Sequence, residues 1–286
     1  MRASYWAIFR RRLGELGYVE GRNLVIEQRW ADGDAKRLPG LADELVAQQP
    51  DVLVAVTTTV ALAAKQSTSL IPIVAMGPAD PVKSGLVASL GRPGGNLTGV
   101  AFNQAEIAGK WVELAREIFP RAKTLVYLTD VGNPGEMLVF RNLEVRARPL
   151  GLEAQAMDGI DRTRVEQAFV AMERKRPDVL VVATAAVLLA QRQQIVDAAA
   201  RLRIPAIYAR QEYPEAGGLL SYGTAPDAIP TRGAEYVARI LQGAKPAEIP
   251  FEMASTFRLV VNARTATALG IKIPPTVHAR ADQVIE

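Results

Sequence analysis

The stretch Pro50–Lys65, PDVLVAVTTTVALAAK, joins a run of apolar β-formers to a run of helix-forming alanines through three consecutive threonines. A short apolar run bounded by a turn signal is the pattern of a strand buried on both faces. Apolar residues at helical spacing from Arg37 to Gln49 precede it, and a second helical stretch from about Val60 leads to another apolar run, IPIVAM (Ile71–Met76). Strand, helix, strand in that order is the signature of a parallel sheet with crossover helices.

The same order returns in Arg164–Leu220, with matching punctuation. Pro50-Asp51 answers to Pro177-Asp178, Ile71-Pro72 to Ile204-Pro205, and Gly85-Leu86-Val87 to Gly218-Leu219-Leu220. Thr57 and Thr184 each fall seven residues after the proline of their Pro-Asp pair, where a strand ends and a helix begins. Asp80 and Glu212 fall eight and seven residues after the proline of their Ile-Pro pair. The repeat predicts a duplicated α/β architecture of two Rossmann-like lobes with parallel sheets. GGNLTGVAF (94–102) reads as the strand-like passage from lobe to lobe, LLSYGTAPDAIP (219–230) as the return, and a third crossing is expected near Pro250. KTLVYL (123–128) opens the second lobe as its first strand. The expected division is 1–100 with 224–252 for lobe 1 and 101–223 with 253–286 for lobe 2. Crossings of this kind are hinges in proteins that close around a ligand.

Composition narrows the function. The 286 residues are 49% hydrophobic, enough for a large core, and the net charge is only +4. No basic stripe interleaved with aromatics suggests a nucleic-acid surface. FRRRLGELGYVEGR (9–22) reads as an amphipathic helix with Phe9, Leu13 and Leu16 inward and its arginines solvated. The chain has no cysteine and one histidine, His278. That excludes disulfides, thiolate metal sites and a cysteine nucleophile. No Asp/Glu spacing resembles a calcium loop, and the glycines of GRPGGN (91–96) are spaced as in a turn rather than a phosphate loop. No catalytic set, cofactor or metal is expected, and the function points to binding rather than catalysis.

Ligands of open parallel sheets sit beyond the carboxyl ends of the strands. There, Thr57, Thr58 and Thr59 offer hydroxyls, free amides and the positive end of a helix dipole to a carboxylate or phosphate, although one threonine alone would serve as a cap. Asp80 and Glu212 can each receive an ammonium group, or be solvated loop residues. Asn133 stands before a proline at a helix start and reads first as a cap, second as a ligand contact. Thr184 repeats the position of Thr57, and Tyr208, like Tyr213 and Tyr222, is either a stacking surface or a packed core ring.

Five phrases cover nearly the whole chain and carry a resemblance: FRRRLGELGYVEGRNLVIEQRWADGD (9–34), LADELVAQQPDVLVAVTTTVALAAK (41–65), IPIVAMGPADPVKSGLVASLGRPGGNLTGV (71–100), PAIYARQEYPEAGGLLSYG (205–223) and FRLVVNARTATALGIKIPPTVHARADQVI (257–285). In order, they resemble the ABC transporter substrate-binding proteins of the tryptophan- and tyrosine-binding kind. The resemblance implies a periplasmic binding protein type I fold with crossover hinge strands. It further implies a small ligand, an aromatic amino acid or related carboxylate, held in the interlobe cleft, and delivery by a monomer to an ABC permease outside the cytoplasm. By position, the ligand carboxylate then falls to Thr57–Thr59 and its ammonium to Glu212. Against the family pattern, a signal peptide and a first strand before the helix near Ser4 are missing, so lobe 1 is expected without its central strand, through a late start or a truncation. Thr129-Asp130 also stands where the family tends to carry Asn-Pro, and ATAAV (183–187) stands near where it often carries an acidic residue. The alternatives are a cytoplasmic ligand-sensing domain of the same fold and a sugar- or nucleotide-processing enzyme.

Overall fold

A computed structural model describes residues 2–32 and 34–286. The chain divides into two compact units, one of 1–103 with 225–256 and one of 104–224 with 257–286, so the backbone passes between them three times. Along the chain the strands are β1 (Leu53–Val56), β2 (Ile73–Met76), β3 (Leu97–Ala101), β4 (Thr124–Thr129), β5 (Glu153–Asp158), β6 (Val179–Val182), β7 (Ala206–Tyr208), β8 (Leu220–Thr224), β9 (Glu252–Met253), β10 (Phe257–Asn262) and β11 (Gln283–Ile285).

In the first unit the sheet order is β1-β2-β3-β9, parallel throughout. Successive side chains of β1 point to opposite faces, and each face meets its own core. Leu53 and Ala55 pack with Ala61, Ala64 and Leu86. Val52, Val54 and Val56 lie against the cluster built on Phe9, Leu13, Tyr236 and Val237. That second cluster joins the helix Arg2–Glu15 to the helix Ala228–Leu241 over β2 and β3. Gly233 lets the latter helix approach the sheet: a Cβ there would stand 2.0 Å from Met76 Sδ. β1 forms one edge of this sheet, and its neighbour on the other side is β2 alone. NLVIEQRW (23–30) carries no strand beyond a bridge between Glu20 and Leu24.

The second unit holds seven strands in the order β11-β10-β8-β7-β6-β4-β5, parallel except where β10 runs against β8. β6 and β7 are buried on every residue, as their continuous apolar runs require. The helix Gln104–Ile118 is fixed to this sheet by Trp111, which is 1% exposed and donates its indole N–H to the Tyr222 carbonyl at 2.7 Å.

Two expectations are corrected. The third crossing falls at 256/257 rather than near Pro250, because β9 first pairs with β3. The glycine correspondence also fails: Leu220 opens β8, whereas Val87 leads into a loop closed by the Ala88 amide on Pro93 O, and β3 starts only at Leu97. Gly94 and Gly95, with φ of 69° and 72°, turn the chain there, a conformation open to glycine at little cost.

Candidate functional site

The candidate residues lie past the carboxyl ends of parallel strands, and each unit has its own set. In the first unit, Thr57 follows β1 and Asp80 lies in the loop after β2. The Thr57 amide donates to Met76 O, and its carbonyl accepts the first intrahelical bond of the helix Thr58–Ser67, from Ala61. The amides of Thr58, Thr59 and Val60 therefore open the helix without intrahelical partners, beside its positive dipole end. The three threonines have distinct tasks. Thr58 Oγ1 accepts the Ala79 amide at 2.9 Å and so ties the turn to the neighbouring loop. Thr57 and Thr59 are exposed and share a hydroxyl hydrogen bond of 3.2 Å.

Thr57 is not a conventional cap. Its side chain makes no capping bond, and its backbone, at φ 82° and ψ 163°, lies where glycine is almost the only residue found. Holding a β-branched residue there costs about 1–3 kcal/mol. Lys65, two turns on, donates to Gly85 O at 2.6 Å and Leu86 O at 3.0 Å and anchors the far end of the same helix. Asp80, at φ 27°, accepts the Lys83 amide at 3.0 Å and pairs with the Lys83 ammonium at 3.1 Å, which is the turn role rather than a free carboxylate.

In the second unit the ends of β4, β6 and β7 bring together Thr129, Thr184 and the Arg210–Glu212 segment. Thr184 is half-buried in the turn after β6. Asn133 caps the helix Pro134–Ala147, its Oδ1 accepting from the Gly135 amide at 2.9 Å. Tyr208 offers no stacking surface: it is 1% exposed and stacks on Tyr213 with ring centroids 4.6 Å apart. The reason is its strand, since β7 lies between β6 and β8 and the Tyr208 ring is covered by Tyr213 of the helix Glu212–Glu215.

Glu212 is not an unpaired carboxylate. Arg210 grips both its oxygens, Nη2 on Oε1 at 2.6 Å and Nε on Oε2 at 3.3 Å. Burial pushes this carboxyl up, but the Arg210 hydrogen bond and charge outweigh it and hold the group below its usual range. Sequence reasoning missed Arg210, because an i, i+2 pair is not a helix-surface spacing.

It also missed Glu136, in the first turn of the Pro134–Ala147 helix. The spacing Asn133-x-x-Glu136 suggests a reciprocal cap. Instead, Glu136 Oε2 turns to the end of β4 and accepts the Tyr127 hydroxyl at 2.9 Å and the Thr129 hydroxyl at 3.1 Å. Both donors are wholly buried and stand two apart on one face of the strand. Burial, together with the nearby Asp130 charge, raises the Glu136 carboxyl above its ordinary value, against the lowering effect of the two hydroxyls. No group of three or more His, Cys, Asp or Glu among the described residues has the arrangement of a metal site.

The sequence profile of the ABC transporter substrate binding proteins matches residues 8–285. The chain belongs to this family. Among relatives of this ABC transporter substrate binding protein, the tyrosine-binding protein of Clostridioides difficile (strain R20291) is 26% identical over 264 residues, covering 92% of this chain and 76% of the relative. The crystal structure of a conserved domain protein from Vibrio cholerae superposes with a TM-score of 0.89 at 30% identity, over 98% of this chain and 95% of that one. An ABC domain from Streptococcus pneumonia in complex with L-Trp gives a TM-score of 0.89 at 26% identity, over 98% and 94% of the two chains. The family member described here thus has the two-lobed α/β architecture of type I periplasmic binding proteins.

Proposed function

We propose that this chain is the solute receptor of an ABC importer and binds a small carboxylate-bearing ligand, foremost an aromatic amino acid. The observation that carries the reading is the Thr57–Thr59 turn: two outward hydroxyls, unpartnered helix-start amides and a strained backbone held in place by the Met76, Ala79 and Ala61 bonds. Such a turn suits a carboxylate, which accepts several hydrogen bonds at once and gains from the dipole. Strain of this order persists where the surroundings over-determine it, as at ligand sites. The names of two relatives, one tyrosine-binding and one bound to L-Trp, support an aromatic amino acid.

In this reading the ligand carboxylate lies at the threonine turn of the first unit. Asp80 and Asn133 border their strand ends as turn and cap. The protein works as a monomer outside the cytoplasm, without catalysis, and hands its ligand to a membrane permease. No helix among the described residues is long and apolar enough to cross a membrane itself.

A thermal-shift screen tests the assignment. Ligand at 100 times its dissociation constant adds about 2.7 kcal/mol of stability. Tyrosine, tryptophan or phenylalanine should raise the melting temperature, and sugars and nucleosides should not; a shift with sugars alone would refute the reading.

A further inference from the structure

We propose that Glu136, rather than Glu212, is the carboxylate that takes the ammonium group of the ligand. This assignment rests on the amino-acid reading above and deepens it. The two acids lie at the same end of the second unit's sheet and differ in how their charge is met. Glu212 is already neutralised by the two-point grip of Arg210. Glu136 has hydroxyl partners but no cation: no Lys or Arg among the described residues forms an ion pair with it. Tyr127 and Thr129 both donate to Oε2, so Oε1 is left without a side-chain donor, and the residue keeps part of its surface exposed.

A carboxylate drawn out of water and supported by neutral donors alone carries a desolvation cost that an arriving cation offsets. The two hydroxyls also fix its direction. Tyr127 is held in turn by stacking on Phe140, at 6.1 Å between ring centroids and 19° between planes, and by the Trp111 ring at 6.0 Å. The acid is therefore pre-oriented from its helix start against a strand end, with one oxygen engaged and the other available to an ammonium N–H. Glu136 is a ligand-binding residue in this account, while Tyr127 and Thr129 are positioning residues.

The test compares L-tyrosine with 3-(4-hydroxyphenyl)propionate, which keeps the ring and carboxylate and lacks the amine. Glu136→Gln should weaken L-tyrosine at least tenfold and the des-amino acid less than twofold, whereas Glu212→Gln should leave the ratio of the two affinities unchanged. Equal weakening of both probes by Glu136→Gln, or weakening of neither, overturns the assignment while the receptor reading stands. If the unaltered protein binds neither L-tyrosine nor L-tryptophan, the receptor reading itself fails and takes this assignment with it. Should Glu136→Gln not fold, the unaltered protein gives the answer. Its preference for L-tyrosine over the des-amino acid should shrink as pH falls through the raised titration range of the Glu136 carboxyl, and a constant preference contradicts the role.

Discussion

Thr58 Oγ1 accepts the Ala79 amide at 2.9 Å, so the helix start after β1 is stitched to the loop after β2. Thr59, one residue on, turns its hydroxyl only to Thr57. Thr58→Ala should therefore lower unfolding free energy by about 1 kcal/mol, and Thr59→Ala should change it by less than about 0.5 kcal/mol. Urea titrations of the two variants check the contrast; equal losses would mean that the tether is not the difference between them.

Thr57 holds a glycine-like backbone, at φ 82° and ψ 163°. Thr57→Gly relieves strain of about 1–3 kcal/mol and forfeits about 0.5–1 kcal/mol through the freer unfolded chain. The variant should be more stable than the parent by roughly 1 kcal/mol on this balance, yet bind the ligand more weakly, having lost a hydroxyl. A variant that is both less stable and fully active would show that the strain is not real.

Arg210 supports Glu212 in a pH-dependent way. The folded carboxyl lies below its ordinary value, burial raising it and Arg210 more than compensating. Its contribution to stability is thus complete above the unfolded value of about 4.3 and is lost as pH falls through the lower folded value. Arg210→Met should lower the melting temperature at pH 7, and the deficit should narrow as pH falls below about 4. A deficit constant from pH 7 to pH 3 would exclude the ion pair as its source.

Gly233 permits close approach of its helix to β2, where an added Cβ would meet Met76 Sδ at 2.0 Å. Elsewhere in a helix, Gly→Ala stabilises by about 0.5–1 kcal/mol. Here overpacking should dominate, and Gly233→Ala should cost about 1–3 kcal/mol. Combined with Met76→Ala, the loss should fall short of the sum of the single losses by at least about 1 kcal/mol. Strict additivity in denaturant unfolding would refute the contact.

Much of the fold is written in short punctuation. β1, β2, β6 and β7 follow the Pro-Asp and Ile-Pro pairs because an apolar run between turn signals has few places to go but a buried parallel strand. The same shorthand misled at Gly85-Leu86-Val87, since any chain leaving a βα turn shares such residues, and only the paired glycines Gly94 and Gly95 show where β3 begins. At the candidate site, Thr57–Thr59 were legible as an anomaly of composition, three hydroxyls where one suffices. The backbone strain beneath them was not, because φ is set by the hydrogen bonds of Met76 and Ala61, which sequence spacing does not display. Whether Tyr208 is a stacking surface or a packed ring was not legible, because its cover, Tyr213, comes from the following helix. Glu136 was missed because its hydroxyl donors lie on the preceding strand, although the alternation Tyr127-x-Thr129 held the clue.

The most direct test of the account is a calorimetric titration of L-tyrosine into the protein after unfolding and refolding to remove any carried-over ligand, repeated with Thr57 to Thr59 replaced by alanine. The account predicts one-to-one binding with a dissociation constant near a micromolar, roughly −8 kcal/mol, and at least tenfold weaker binding in the alanine variant with the fold retained. Tight binding that survives the loss of all three threonines would contradict the proposed carboxylate site, and no binding of tyrosine or tryptophan by the unaltered protein would contradict the assignment as an aromatic amino-acid receptor.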